Sequence, residues 1–222
     1  MLRAIYRIAW KDILGDFRKR STLTSMFFFV VAALIIFQAS FEPDKKESLR
    51  LLPGLTWVTA LFSSMLGLGR VFHIEEEDGA LEGLLLSPVP RGVIFLGKWL
   101  GNLFLTSLVE ILLVPLTFIL FNVDAWAMLW QILAILWLGT LGLTGLGVLL
   151  AAVTQNARSR ESLLALLLLP LVTPLLIAGI QAMTALLQME EELLFSWLRL
   201  IIIFDVVYIG MAPWAFGWLM ED

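Results

Sequence analysis

The 222 residues contain no cysteine, one histidine and two tyrosines. The missing thiols exclude a disulfide framework, a thiol nucleophile, a thiolate zinc site and covalent haem attachment. Charge is scarce as well: 15% of the residues are Asp, Glu, Lys or Arg, against about 25% in an average soluble domain. There is no G-x-x-x-x-G-K-[ST] run, so the chain cannot bind ATP in the usual way. No internal repeat is visible, which gives an inverted-repeat secondary transporter little support. The N-terminal cations Arg3, Arg7, Lys11, Arg18, Lys19 and Arg20 run far past a normal basic leader and no A-x-A-like site follows, so a signal peptide is not expected.

What the chain does have is apolar surface: 60% hydrophobic residues and a mean hydropathy of +0.92. One globular core cannot hide that excess. The expected fold is an all-α integral membrane protein of six spans, each about 20 residues long, with no sizeable soluble domain. The apolar segments fall at 24–41, 55–71, 93–121, 125–153, 163–187 and 198–219. The whole chain, 1–222, reads as one transmembrane domain. An amphipathic helix is expected at 1–22, a cytoplasmic loop at 72–92 and an extracytoplasmic loop at 188–197.

Charge orients these segments. With the N-terminus inside, the inner side holds the six N-terminal cations plus Arg70, Arg91, Lys98, Arg158 and Arg160. The outer side holds Lys45, Lys46, Arg50 and Arg199. Eleven against four predicts that both termini are cytoplasmic. In the first helix Leu2, Ile5, Tyr6, Ala9, Ile13 and Phe17 share a face. That helix either lies in the headgroup layer or serves only as a positive-inside signal. Of the nine tryptophans, Trp10, Trp57, Trp99, Trp126, Trp197 and Trp218 are expected near segment ends, in an aromatic belt.

The second segment, with Thr56, Thr59, Ser63, Ser64, Gly67 and Gly69, is too polar to face lipid all round. In the fourth, Gly139, Thr140, Gly142, Thr144, Gly145 and Gly147 predict close helix packing rather than a ligand site. Pro170 and Pro174 should kink or locally unwind the fifth. Two acids lie inside spans. Glu110 has Asn102, Thr106 and Thr117 on or near its face; Asp205 has Tyr208 one turn on and Arg199 toward the outer end. A carboxyl at that depth must face protein or water, and is by default a functional-site hypothesis. The plainer alternative is a polar contact between helices. His73 reads as a solvated loop residue rather than a haem ligand.

The loop between the second and third segments carries Glu77, Asp78, Gly79, Leu81, Glu82, Leu84 and Leu85. Asp78 or Gly79 can cap a short helix, and Glu82 in its first turn favours the helix dipole. Leu81, Leu84 and Leu85 form an apolar face, and Ser87-Pro88-Val89-Pro90 stops it. Two turns are too few to be stable alone, so the helix wants a groove in another protein.

That run, Glu77-Asp78-Gly79-Ala80-Leu81-Glu82-Gly83-Leu84-Leu85-Leu86-Ser87-Pro88-Val89 followed by Gly97-Lys98, resembles the first cytoplasmic loop of ABC-2-type ABC transporter permeases, with Ala80 where Thr is common. Two further blocks resemble the CcmB family, the permease of cytochrome c maturation. They are Leu52-Pro53-Gly54-Leu55-Thr56-Trp57-Val58-Thr59-Ala60-Leu61-Phe62-Ser63-Ser64 leading to Arg70-Val71-Phe72, and Leu168-Leu169-Pro170-Leu171-Val172-Thr173-Pro174-Leu175-Leu176-Ile177. Loop and blocks together cover about a third of the chain, in the right order. The resemblance implies a subunit of the bacterial inner membrane with no catalytic residue or metal site of its own. ATP is bound by a partner ATPase (CcmA-like) that docks on the loop, and haem is the species transported or handled. The other implied partners are a haem-handling membrane protein (CcmC-like), a small single-span protein (CcmD-like) and the periplasmic haem chaperone (CcmE-like). Two permease copies per complex and no nucleic acid are expected. The alternative is a generic ABC-2-type exporter of drugs, lipids or glycans. The W-G-x-x-W-x-W-D signature of haem-handling maturation proteins is absent.

Overall fold

The computed structural model describes residues 1–19, 21–41, 45–72, 89–155 and 157–219, with the side chains of 45 and 46 left aside. Among the described residues the regular structure is helical. The order is α1 (Leu2–Lys19), α2 (Ser21–Phe41), α3 (Lys45–Leu68), α4 (Arg91–Leu120), a 3₁₀ turn (Trp126–Met128), α5 (Leu129–Thr154), α6 (Arg160–Leu187) and α7 (Glu191–Leu219). Helices α2 to α7 supply six segments long and apolar enough to cross a membrane. At 1.5 Å per residue even α2, with 21 residues, spans about 31 Å, the thickness of a hydrocarbon core.

Helix α5 is the centre of the bundle and packs against α3, α4, α6 and α7. It can do so because its small residues leave room for larger neighbours. A Cβ on Gly139 would run into Trp57 of α3, one on Gly147 into Leu68 of α3, and one on Gly142 into Asp205 of α7. Gly145 receives Ile209 and Trp99. The expected close packing is therefore present, and each glycine has its own partner. At the periphery the pattern inverts. Helix α2 buries only the stripe Thr22, Met26, Val30 and Leu34 and turns Phe28, Ile35 and Ile36 outward, as a lipid-facing helix should.

Helices α4 and α6 stop by the same device. Asn122 (φ 49°) and Met189 (φ 59°) adopt the left-handed conformation. The next amides, of Val123 and Glu190, reach back to the Phe118 and Ala185 carbonyls at 2.9 Å, closing Schellman motifs.

The structure corrects several expectations. Helix α3 starts ten residues before the predicted 55, carrying Pro53 within it, and α7 starts at Glu191, so helix takes over most of the expected 188–197 loop. Helix α6 runs unbroken through Pro170 and Pro174, so of the kink or local unwinding expected there, the unwinding does not occur. Each proline removes one ladder bond, but α6 is packed along α3, α5 and α7, and that support keeps the helix from unwinding. Trp57 is not in a belt: it is 1% exposed and wedged against Gly139 of α5 and Gly179 of α6. The face of α1 is split. Ala9 is buried while Leu2, Tyr6, Trp10 and Phe17 are exposed. Close approach to α4 favours the small residue, because Gly97 and Gly101 of α4 receive Ile8, Ala9 and Asp12.

Candidate functional site

Two polar regions stand out inside this apolar bundle. The first is the intramembrane pair of carboxyls. Glu110 is 3% exposed, and its Oε1 accepts a short hydrogen bond from Thr140 of α5. The same hydroxyl reaches the Leu136 carbonyl at 2.9 Å, yet it has one proton for two acceptors. Thr140 therefore divides its one proton between the Glu110 carboxyl and the Leu136 carbonyl of its own helix. The neighbours expected from the sequence play other parts. Thr117 donates to the Leu113 carbonyl at 2.8 Å. Thr106 Oγ1 and Asn102 Oδ1 are buried without a hydrogen-bond partner among the described residues. The partner of Glu110 comes from the next helix, at a distance of thirty residues, which no spacing rule on α4 could show.

Asp205 of α7 is 6% exposed and lies against the Gly142 backbone. The carboxyl's one polar neighbour is that backbone, and no side chain among the described residues pairs with it. The anticipated pairing with Arg199 is not formed, since Arg199 is exposed. Tyr208 turns away and donates to the Leu171 carbonyl of α6 at 2.9 Å. Glu110 and Asp205 thus meet the same helix, α5, two residues apart. Two residues turn about 200° around a helix, so the carboxyls sit on opposite sides of it and do not form one site. Among the described residues no three His, Cys, Asp or Glu side chains gather as a metal would require.

The second region lies at one end of the bundle, at the flanks of residues 73–88, which the sequence reads as part of the 72–92 loop. Glu77, Asp78, Gly79, Leu81, Glu82, Leu84 and Leu85, and His73 as well, lie outside the described residues. The loop's two flanks are held firmly. Phe72, at the entry, stacks on Phe216 of α7 with ring centres 6.2 Å apart, and Phe95 of α4 packs on the same ring at 5.8 Å. Arg91, at the exit, donates to the Gly217 carbonyl at 3.3 Å. Arg70 donates to the Ser21 hydroxyl at the start of α2.

Lys98 is the residue whose role sequence reasoning missed. It entered the sequence reading as an inner-side cation and as part of the Gly97-Lys98 pair of the resemblance, but is 2% exposed. Its ammonium pairs with Asp12 of α1 at 3.1 Å, donates to the Val71 carbonyl at 2.9 Å and lies 5.4 Å from the centre of the Phe72 ring. Two signals were present: Lys98 sits seven residues into a spanning helix, and Asp12 interrupts the basic pattern of α1.

Heme exporter protein B of Pseudomonas aeruginosa is 35% identical over 172 residues, covering 78% of this chain and 77% of that protein. Heme exporter protein B of Haemophilus influenzae is 35% identical over 162 residues, 72% of each chain. The Paracoccus denitrificans protein of the same name is 37% identical over 160 residues, again 72% of each. The family model described as CcmB protein matches residues 3–221, and the chain, with its six spanning helices, belongs to the CcmB family.

Proposed function

We propose that this chain is a haem-exporter permease: the membrane subunit of an ABC transporter in cytochrome c biogenesis. In this reading a separate CcmA-like ATPase docks on the 73–88 loop, and its ATP cycle drives haem export or release of the haem-loaded CcmE-like chaperone. CcmC-like and CcmD-like subunits complete the complex around two permease copies in the bacterial inner membrane. Both termini of the chain are cytoplasmic. The charge asymmetry supports that orientation, and the loop anchors, α1 and Lys98 all gather at one end of the bundle.

The observation that carries the reading is the anchoring of the loop roots. A connector that only joins two spans needs no buried cation and no aromatic stack at its base. A loop that passes force into the bundle needs both, because motion is transmitted only through contacts that do not give way. The apolar face of Leu81, Leu84 and Leu85 supplies the docking surface.

Changing Leu81 and Leu85 together to Asp tests the assignment. It places two carboxylates in a surface that must be desolvated on docking, at a cost of several kcal/mol. The expected result is loss of the ATPase subunit from the purified complex with the permease still inserted. Normal co-purification sinks the docking assignment. ATP-dependent haem flux into proteoliposomes then separates export from chaperone release.

A further inference from the structure

Lys98 is the one buried cation among the described residues, and anchoring the loop root does not by itself account for its pairing with Asp12 of α1. Its contacts come from separate pieces of chain. Asp12 belongs to α1. The Val71 carbonyl and the Phe72 ring belong to the turn that leaves α3 for the loop. Lys98 itself stands two turns into α4, just past the loop's other end. One ammonium therefore ties both flanks of the loop to the N-terminal helix.

The packing beneath explains what the pair adds. Gly97 and Gly101 present a nearly bare helix surface to α1, with Ile8 seated on the first and Ala9 and Asp12 on the second. Such a groove holds α1 close to α4 but resists sliding or rolling only weakly, having few side chains to interlock. The ion pair supplies the missing constraint and attaches it to the Val71 carbonyl and the Phe72 ring at the loop's root. A displacement of the loop root displaces the ammonium, and Asp12 follows it.

We propose that Lys98, through Asp12, is a positioning residue that couples movement of the loop root to helix α1, so that α1 shifts when the ATPase cycles. This rests on the loop being the ATPase dock. The outward face of α1, with Tyr6 and Trp10 stacked at 6.0 Å, is then the surface that moves.

The test uses the complete complex. The chain has no cysteine, so Leu14→Cys on α1 places a single thiol for an environment-sensitive fluorophore. Emission is followed on adding ATP, in the parent and with Lys98→Met, Lys98→Arg or Asp12→Asn. The expected result is an ATP-dependent emission shift in the parent that is lost in K98M and D12N and kept in part by K98R. Complexes of K98M and D12N should still hold the ATPase subunit and hydrolyse ATP, while mature cytochrome c falls at least about fivefold, the lower end of usual coupling between sites. A shift that persists in K98M, or its absence in the parent, overturns the proposal. So does a complex that falls apart in both K98M and the milder D12N, which makes the pair a structural support only. If the L81D/L85D protein keeps its ATPase subunit, the docking reading has failed. If it loses the subunit while K98M still shows the shift, only the joint has failed.

Discussion

Replacing Glu110 asks whether its carboxyl works or merely fits. Glu110→Gln keeps the shape and supplies an amide that donates to Thr140 Oγ1, while Thr140 donates to the Leu136 carbonyl at 2.9 Å. The bond count is unchanged, so stability should stay within about 0.5 kcal/mol, the usual range for changes that disturb no packing or pairing. Glu110→Leu removes the interhelical bond, yet leaves no orphan, because Thr140 keeps Leu136 as acceptor. The loss is then one hydrogen bond between membrane helices, about 0.6 kcal/mol on average, partly offset by removing a polar group from an apolar site. Thr106, the partner suggested by spacing, is unaffected, since it makes no bond to Glu110. Thermal melts of the detergent-purified protein measure the stability, and mature cytochrome c in cells measures the function. Both variants should be close to the parent in both assays. An E110Q protein that folds normally but is as inactive as an ATPase-dead complex would falsify this reasoning and make the titratable group part of the mechanism.

Three further outcomes are expected. Gly179→Ala drives a methyl into the ring of Trp57 and should cost about 1–3 kcal/mol, the usual price of overpacking; Trp57→Leu in the same chain should recover part of it, and additive losses in the melts would contradict the wedge. Asp205→Leu should leave the bundle as stable as the parent or up to about 1–3 kcal/mol more so, since a buried carboxyl with no side-chain partner is removed. A marked drop in melting temperature would mean that Asp205 has a partner. Single cysteines at 45, 78, 124, 158 and 190 should react with an impermeant reagent from outside at 45, 124 and 190 only; reaction at 78 would place the loop on the wrong side for an ATPase.

The sequence alone determined the class of this protein, because a bilayer imposes rules that act locally. An apolar run of about 20 residues must be a helix whatever it touches, as lipid offers the backbone no other partner. Composition and run length therefore placed six spans, and the loop motif with the Pro-containing blocks pointed to the family. The span ends shifted where tertiary packing carried a helix on, as at Lys45 and Glu191. Everything that depends on which helix lies beside which was left to the tertiary structure. Glu110 meets Thr140 rather than Thr106, Trp57 fills the space left by Gly139 and Gly179, and Asp205 rests on Gly142 instead of reaching Arg199. Helical spacing ranks neighbours on one helix only; partners on another are set by where small residues let two backbones approach. Lys98 shows the difference most plainly. In the sequence it is a positive-inside cation at the end of a motif, and it becomes a buried, paired one only because Gly97 and Gly101 bring Asp12 of a distant helix to 3.1 Å.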